Sequence, residues 1–233
     1  MMTFAEKILR FNSSLSLDDS ILPEGVKAMN PFRGKNSVLI NKLTSEFYHK
    51  YYNDENPRKL ILGINPGRLG AGATGIPFTD TKRLSGDCNI PATGLKTHEP
   101  SSVFIYEMIN AYGGPELFYK SFYISSVSPL GFVKINEKGN LLNFNYYDRI
   151  DLQNAILPFM LKTIKQQLDF GIDTQTCFCL GTGKNFKFLK KLNGEHRFFE
   201  KIVPLEHPRY VMQYKSKQKQ GYIEKYLRLL CGE

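Results

Sequence analysis

Four short apolar runs constrain this chain more than any other feature of it. Each is halted by a turn bearing glycine or proline, and a helical pattern parts each from the next. They are Lys59-Leu-Ile-Leu-Gly-Ile64, running into Asn-Pro-Gly; Ser121-Phe-Tyr-Ile-Ser-Ser-Val127, into Ser-Pro-Leu; Thr176-Cys-Phe-Cys-Leu180, into Gly-Thr-Gly; and Lys201-Ile-Val-Pro-Leu205, into Glu-His-Pro. Runs of this length bounded by turn signals read as buried strands. Helical spacing covers 4–11, 37–52, 102–112, 152–170, 184–192 and 222–230, whereas 12–37, with Pro23 and Pro31, reads as irregular. Strands that alternate with helices predict an α/β fold: a three-layer α/β/α sandwich around a central, mostly parallel four-stranded sheet. With no repeat, low-complexity tract or linker, residues 1–233 read as one domain.

In open sheets of this kind a ligand sits outside the carboxyl ends of the strands. Four loops are therefore expected at one crevice: Asn65, Pro66 and Gly67; Ser126, Ser128 and Pro129; Gly181 and Gly183; and His207, Pro208 and Arg209. The first is the richest, with glycines at 63, 67, 70, 72 and 75 that permit positive φ and close backbone approach. It is no dinucleotide fingerprint, because Pro66 and Pro77 interrupt any helix start. Gly181-Thr-Gly-Lys184 is no phosphate loop, since Phe178 stands where the first glycine of that motif belongs. The Asn65 loop holds no Asp or Glu before Asp80, so a carboxylate base is missing where the chemistry is expected.

Charge and cysteine content narrow the function classes. The net charge is +9, and residues 181–233 hold twelve Lys and Arg against five Asp and Glu, so the last quarter carries most of the excess. Clustered cations of this kind suit a polyanion. Cys88, Cys177, Cys179 and Cys231 match neither a zinc nor an iron–sulfur spacing nor a disulfide framework, and read as reduced and structural. No metal or other cofactor is expected. No apolar run is long enough for a membrane span, and Glu6, Lys7 and Arg10 break any signal-peptide core. The expected location is the cytoplasm, on the nucleoid if the source is bacterial, and the expected state is a monomer.

Gly63-Ile-Asn-Pro-Gly67 followed by Thr74-Gly-Ile-Pro-Phe78 resembles the first motif of the uracil-DNA glycosylase superfamily, most closely that of the single-strand-selective monofunctional enzymes. Its Gly-x-Asn-Pro-Gly core also looks like that of the mismatch-specific uracil and thymine glycosylases. Ser128-Pro-Leu130, Gly181-Thr-Gly-Lys184, His207-Pro208 and Gln220-Gly-Tyr222 are similar, in order, to later motifs of the single-strand-selective group. The resemblance implies a partner, DNA containing uracil or another deaminated base, and roles for particular residues. Asn65 would position the attacking water and His207 would stabilise the departing base anion. Phe78 would stack on the flipped base, with Gly63, Ile64, Gly67 and Ser126 completing the substrate pocket. Arg209, Lys215, Lys217 and Lys219 would face DNA.

Two positions depart from the family pattern. Ser126 stands where an asparagine reads the uracil edge, and one hydroxyl cannot form a bidentate pair. Arg209-Tyr-Val211 replaces the usual Ser-Pro-Arg, so the wedge entering the DNA stack would be built from different atoms. The rival reading is a non-catalytic nucleic-acid-binding module on the same fold; keeping both Asn65 and His207 argues against it. An α/β hydrolase is excluded by the lack of a nucleophile elbow.

Overall fold

The computed structural model describes residues 1–232. In chain order the elements are α1 (Phe4–Ser14), β1 (Val26–Met29), α2 (Ser37–Tyr52), β2 (Arg58–Gly63), α3 (Ala71–Thr74), α4 (Thr81–Gly86), α5 (Pro100–Tyr112), α6 (Pro115–Ser121), β3 (Phe122–Ser126), β4 (Gly131–Ile135), β5 (Leu141–Phe144), α7 (Ile150–Leu168), β6 (Ile172–Leu180), α8 (Lys184–His196), β7 (Lys201–Leu205), α9 (Pro208–Tyr214) and α10 (Lys219–Cys231).

The four expected strands form one parallel sheet in the order β3-β2-β6-β7. Leu60, Leu62, Cys177 and Cys179 are fully buried in it, as strands covered on both faces must be. β2 reaches β3 through α5 and α6, in one direction across the sheet. β3 reaches β6 through α7, and β6 reaches β7 through α8, in the other. Right-handed crossovers then put α5 and α6 on one face and α7 and α8 on the opposite face. Neighbouring β2 and β6 thus send their chains to opposite faces, and a crevice opens beyond their carboxyl ends.

Local chemistry fixes where the elements begin. α1 starts at a capping box: Glu6 N–H donates to Thr3 Oγ1 (3.3 Å) and Thr3 N–H to Glu6 Oε2 (2.7 Å). It buries Phe4, Ala5, Ile8 and Phe11 along one stripe. Arg58 opens β2 fully buried, because its guanidinium donates to Asp54, Asn56 O and Tyr119 O and lies over the rings of Phe4 and Tyr52. α5 starts two residues earlier than its periodicity predicts, with Pro100 at its first turn.

The sequence reading missed a second sheet, antiparallel β1-β4-β5. β1 lies inside the stretch read as irregular. Its four residues pair with β4 more than a hundred positions away, so no local pattern announces it. The β4–β5 hairpin matters for the site, because it carries the chain back over the crevice.

Candidate active site

β2 ends at Gly63, and the next residue but one, Asn65, projects into the crevice with its amide held at both ends. Its Oδ1 accepts from Tyr146 N–H (3.1 Å) and its Nδ2 donates to Phe144 O (3.2 Å). The Tyr146 hydroxyl in turn donates to Asn185 Oδ1 (2.7 Å), and Asn185 Nδ2 donates to Leu180 O (2.9 Å). The Gly181 turn therefore supports the site from behind: Gly181 and Gly183 do not line the cleft, and Asn145 and Tyr147 stand there instead. Ser128 and Pro129 also lie off it, Ser128 being buried with its hydroxyl on Leu130 O (2.9 Å).

The glycine-rich loop is folded by specific contacts. Of its five glycines only Gly75 uses the freedom of positive φ (73°). Gly70 and Gly72 answer to close approach: an added Cβ would lie 2.2 Å from Glu99 Oε2 in one case and 2.8 Å from Gly67 O in the other. Thr74 Oγ1 donates to Thr79 O (2.8 Å) and accepts from Ile76 N–H (3.3 Å), tying off the turn that presents Phe78. Phe78 itself sits at φ 51°, an uncommon conformation for a bulky residue and one found where the surroundings over-determine it. Its ring lies 5.9 Å from that of His207, tilted by 58°. Gly63 separates Phe78 from Ser126, with its Cβ position 3.6 Å from Phe78 Cε2 and 3.4 Å from Ser126 Oγ.

His207 caps α9. Its Nδ1 accepts from Arg209 N–H (3.1 Å), so in the neutral ring the hydrogen sits on Nε2. Burial, aided by the Arg209 guanidinium, pushes its pKa down to about 4. At neutral pH the ring is an uncharged donor.

One carboxyl reaches the cleft from an unexpected place. Glu99, immediately before α5, lines it, which corrects the expectation that no carboxylate base is present. Asp80 holds this segment down: it accepts from Arg83 N–H (3.0 Å), Glu99 N–H (2.9 Å), Ser102 Oγ (2.9 Å) and His98 Nδ1 (3.2 Å). Burial raises the Asp80 pKa, but these bonds outweigh it and hold the carboxyl below its usual range. Burial and the neighbouring Asp80 push Glu99 up to about 7, against the pull of Arg209.

The cleft encloses about 720 Å³ and is lined by Ile64, Asn65, Gly67, Phe78, Ser126, His207 and Arg209 of the expected residues, with Glu99, Asn143 and Tyr210 among those not foreseen. A volume of this order suits a small ligand such as a nucleotide. Lys215, Lys217 and Lys219 lie outside it. Lys217 is exposed, whereas the Lys219 ammonium is paired with Glu107 at 2.5 Å. No cluster of three or more His, Cys, Asp or Glu among the described residues is placed to hold a metal ion, and no helix among them is long and apolar enough to cross a membrane.

Comparison with known proteins gives the fold a family. The model of the uracil DNA glycosylase superfamily matches residues 49–231. The crystal structure of wild-type SMUG2 from Pedobacter heparinus is similar at 56% identity and a TM-score of 0.96, over 100% of this chain and 98% of that one. No curated protein matches the chain. The matched span runs from the end of α2 to α10 and contains every strand of the parallel sheet and both Asn65 and His207, so the chain belongs to the uracil DNA glycosylase superfamily, hydrolases of N-glycosyl bonds in DNA.

Proposed function

We propose that this protein removes uracil, or a related deaminated base, from DNA as a monofunctional glycosylase of base excision repair. The observation that carries this reading is the meeting of Asn65, Phe78, Ser126 and His207 in one cleft, with His207 held as a neutral Nε2–H donor. Inside a duplex the glycosidic bond is inaccessible, so the target nucleotide is flipped into the cleft. Phe78 stacks on the base, beside Gly63, Ile64, Gly67 and Ser126. As the bond to C1′ breaks, negative charge grows on the base. A donor aimed at charge that exists only in the transition state lowers the barrier, and His207 Nε2–H is that donor. Asn65 orients water: with one lone pair of Oδ1 on Tyr146 N–H, the other is free to accept from it.

Monofunctional chemistry is supported by the lining of the cleft, in which no lysine among the described residues offers an amine for a covalent intermediate. Arg209, at the lip beside His207, enters the gap left by the flipped base, and Lys215 and Lys217 contact phosphates, whereas the Lys219 ammonium is already held by Glu107. Ser126 loosens the reading of the base edge, so selectivity is broader than an amide would allow. The enzyme acts as a monomer, a single domain over residues 1–233, in the cytoplasm or on the nucleoid. Incubation with a uracil-containing single-stranded oligonucleotide followed by alkali tests the reading: cleavage at the uracil position is expected, and uncut DNA at enzyme excess would overturn it.

A further inference from the structure

Glu99 is the one carboxyl among the described residues that line the cleft. Its backbone is clamped on both sides: the N–H donates to Asp80 Oδ2 (2.9 Å), and the carbonyl accepts from Ser102 N–H (2.9 Å) and Ser102 Oγ (2.7 Å). The side chain lies on the glycine-rich loop. A Cβ on Gly70 would meet Oε2 at 2.2 Å and Cδ at 2.4 Å, and one on Gly67 would stand 3.9 Å from Oε1. Position 70 is therefore free of a side chain where this carboxyl needs room. Oε2 is buried and has no hydrogen-bond partner. Such an orphan is uncommon in a native fold and calls for a functional account.

Hydrolysis supplies one. A water that adds to C1′ must lose a proton, and neither residue already assigned to the reaction can take it. The Asn65 amide is not a base, and it is tied to Tyr146 and Phe144. His207 has its Nδ1 occupied by Arg209 N–H and presents a donor. We infer that Glu99 is a catalytic residue whose carboxylate, through Oε1 on the side of Gly67, accepts the hydrogen bond, and then the proton, of the water that Asn65 orients. The inference rests on the reading of the cleft as a glycosylase site. In the step, the C1′–N electron pair stays on the base, whose anion His207 steadies, and a water lone pair forms the new C1′–O bond. One water proton passes to Glu99, leaving a hydroxyl on C1′. The carboxylic acid then gives that proton to the base anion or to solvent, and the carboxylate is restored.

The groups facing Glu99 fix the expected pH dependence. Asp80, at the start of α4, and burial both favour the acid form; Arg209, on α9, favours the carboxylate; His98 is turned to Asp80. With the pKa raised to about 7, the base form is lost as pH falls below that value, so the rate of excision rises with pH through it.

Single-turnover excision of uracil from a single-stranded oligonucleotide, followed from about pH 5.5 to about 9, tests the inference in the wild type, Glu99→Gln and Glu99→Asp. Glu99→Gln keeps the shape and loses the base. At pH 8 its rate is expected to fall by about 10²-fold or more, with affinity for DNA within about twofold of wild type and the rising limb abolished. Glu99→Asp keeps a carboxylate and is expected to retain a rising limb at a reduced rate. A Glu99→Gln enzyme with the wild-type rate overturns the inference. So does one that is slower but keeps the limb, or one that loses rate only in step with affinity. If that variant fails to fold, the wild-type profile decides: a rising limb through about pH 7 supports the inference and a flat rate overturns it. A wild type that releases no uracil at all overturns the glycosylase reading, and this inference with it, whereas failure of the Glu99 tests alone leaves that reading standing.

Discussion

His207→Asn separates two functions that the imidazole performs at once. The Nδ1 acceptor caps α9 through Arg209 N–H at 3.1 Å, and the Nε2–H donor faces the cleft beside Phe78. Asparagine is among the best N-cap residues, so its Oδ1 can keep the first bond, while its amide is too short to replace the second. Alanine removes both. Loss of the cap costs about 1 kcal/mol of stability, and loss of a donor to a developing oxyanion costs about 2.7–4 kcal/mol of barrier, or about 10²–10³ in rate. His207→Asn should therefore melt near the wild-type temperature and excise uracil about 10²–10³ times more slowly, while His207→Ala is equally slow and melts lower. Single-turnover excision and thermal melting of the same preparations give both numbers. The pKa adds a signature. Its folded value, about 4, lies below the ordinary 6.5, so stability is full above pH 6.5 and falls as pH drops toward 4. Neither variant should show that component of acid loss. A His207→Asn enzyme with the wild-type rate would refute the reasoning and leave His207 as a helix cap only.

Asn65→Ala should lower single-turnover excision by about 10²-fold or more with little change in DNA affinity. Because Tyr146 N–H and Phe144 O lose their partner, it should also cost about 1–3 kcal/mol of stability, measured by denaturant titration; near-normal turnover would remove the water-orienting role. Ser126→Asn should sharpen the preference for uracil over hypoxanthine and xanthine in single-turnover comparison, and identical profiles would mean that Ser126 does not read the base. Removing Lys215 and Lys217 together should weaken binding to damaged and undamaged single strands alike and reduce the slope of log affinity against log salt by about 1.4. Adding Lys219→Ala should change little more, because Glu107 already holds that ammonium; a loss confined to damaged DNA would contradict phosphate contact.

The parallel sheet was legible because its strands are buried on both faces and so read as unbroken apolar runs, and because each stops at a turn that cannot continue a strand. That placed Asn65, Ser126 and His207 at carboxyl ends, and the register agrees: Gly63 pairs with Ser126, and Leu180 with Leu205. The far wall of the cleft was not legible. β5 is four residues long, with its first three exposed, and its partner β4 is set by contacts that no local periodicity encodes. Asn143, Asn145 and Tyr147 were hidden with it. Glu99 looks like any polar residue ahead of a helix-starting proline; its burial depends on Asp80 and Gly70, nineteen and twenty-nine positions away. Gly181-Thr-Gly-Lys184 was placed correctly as a turn, but its contribution runs through the next residue, Asn185, which braces Tyr146 behind the catalytic amide.

The most direct test of the account is to identify the products from a uracil-containing single strand at enzyme excess. It predicts one free uracil per substrate molecule and a sugar–phosphate strand that stays intact until alkali is added, with nothing trapped by borohydride, since no lysine among the described residues lines the cleft. Tight binding without released base, or strand scission with a borohydride-trapped protein–DNA adduct, would contradict it.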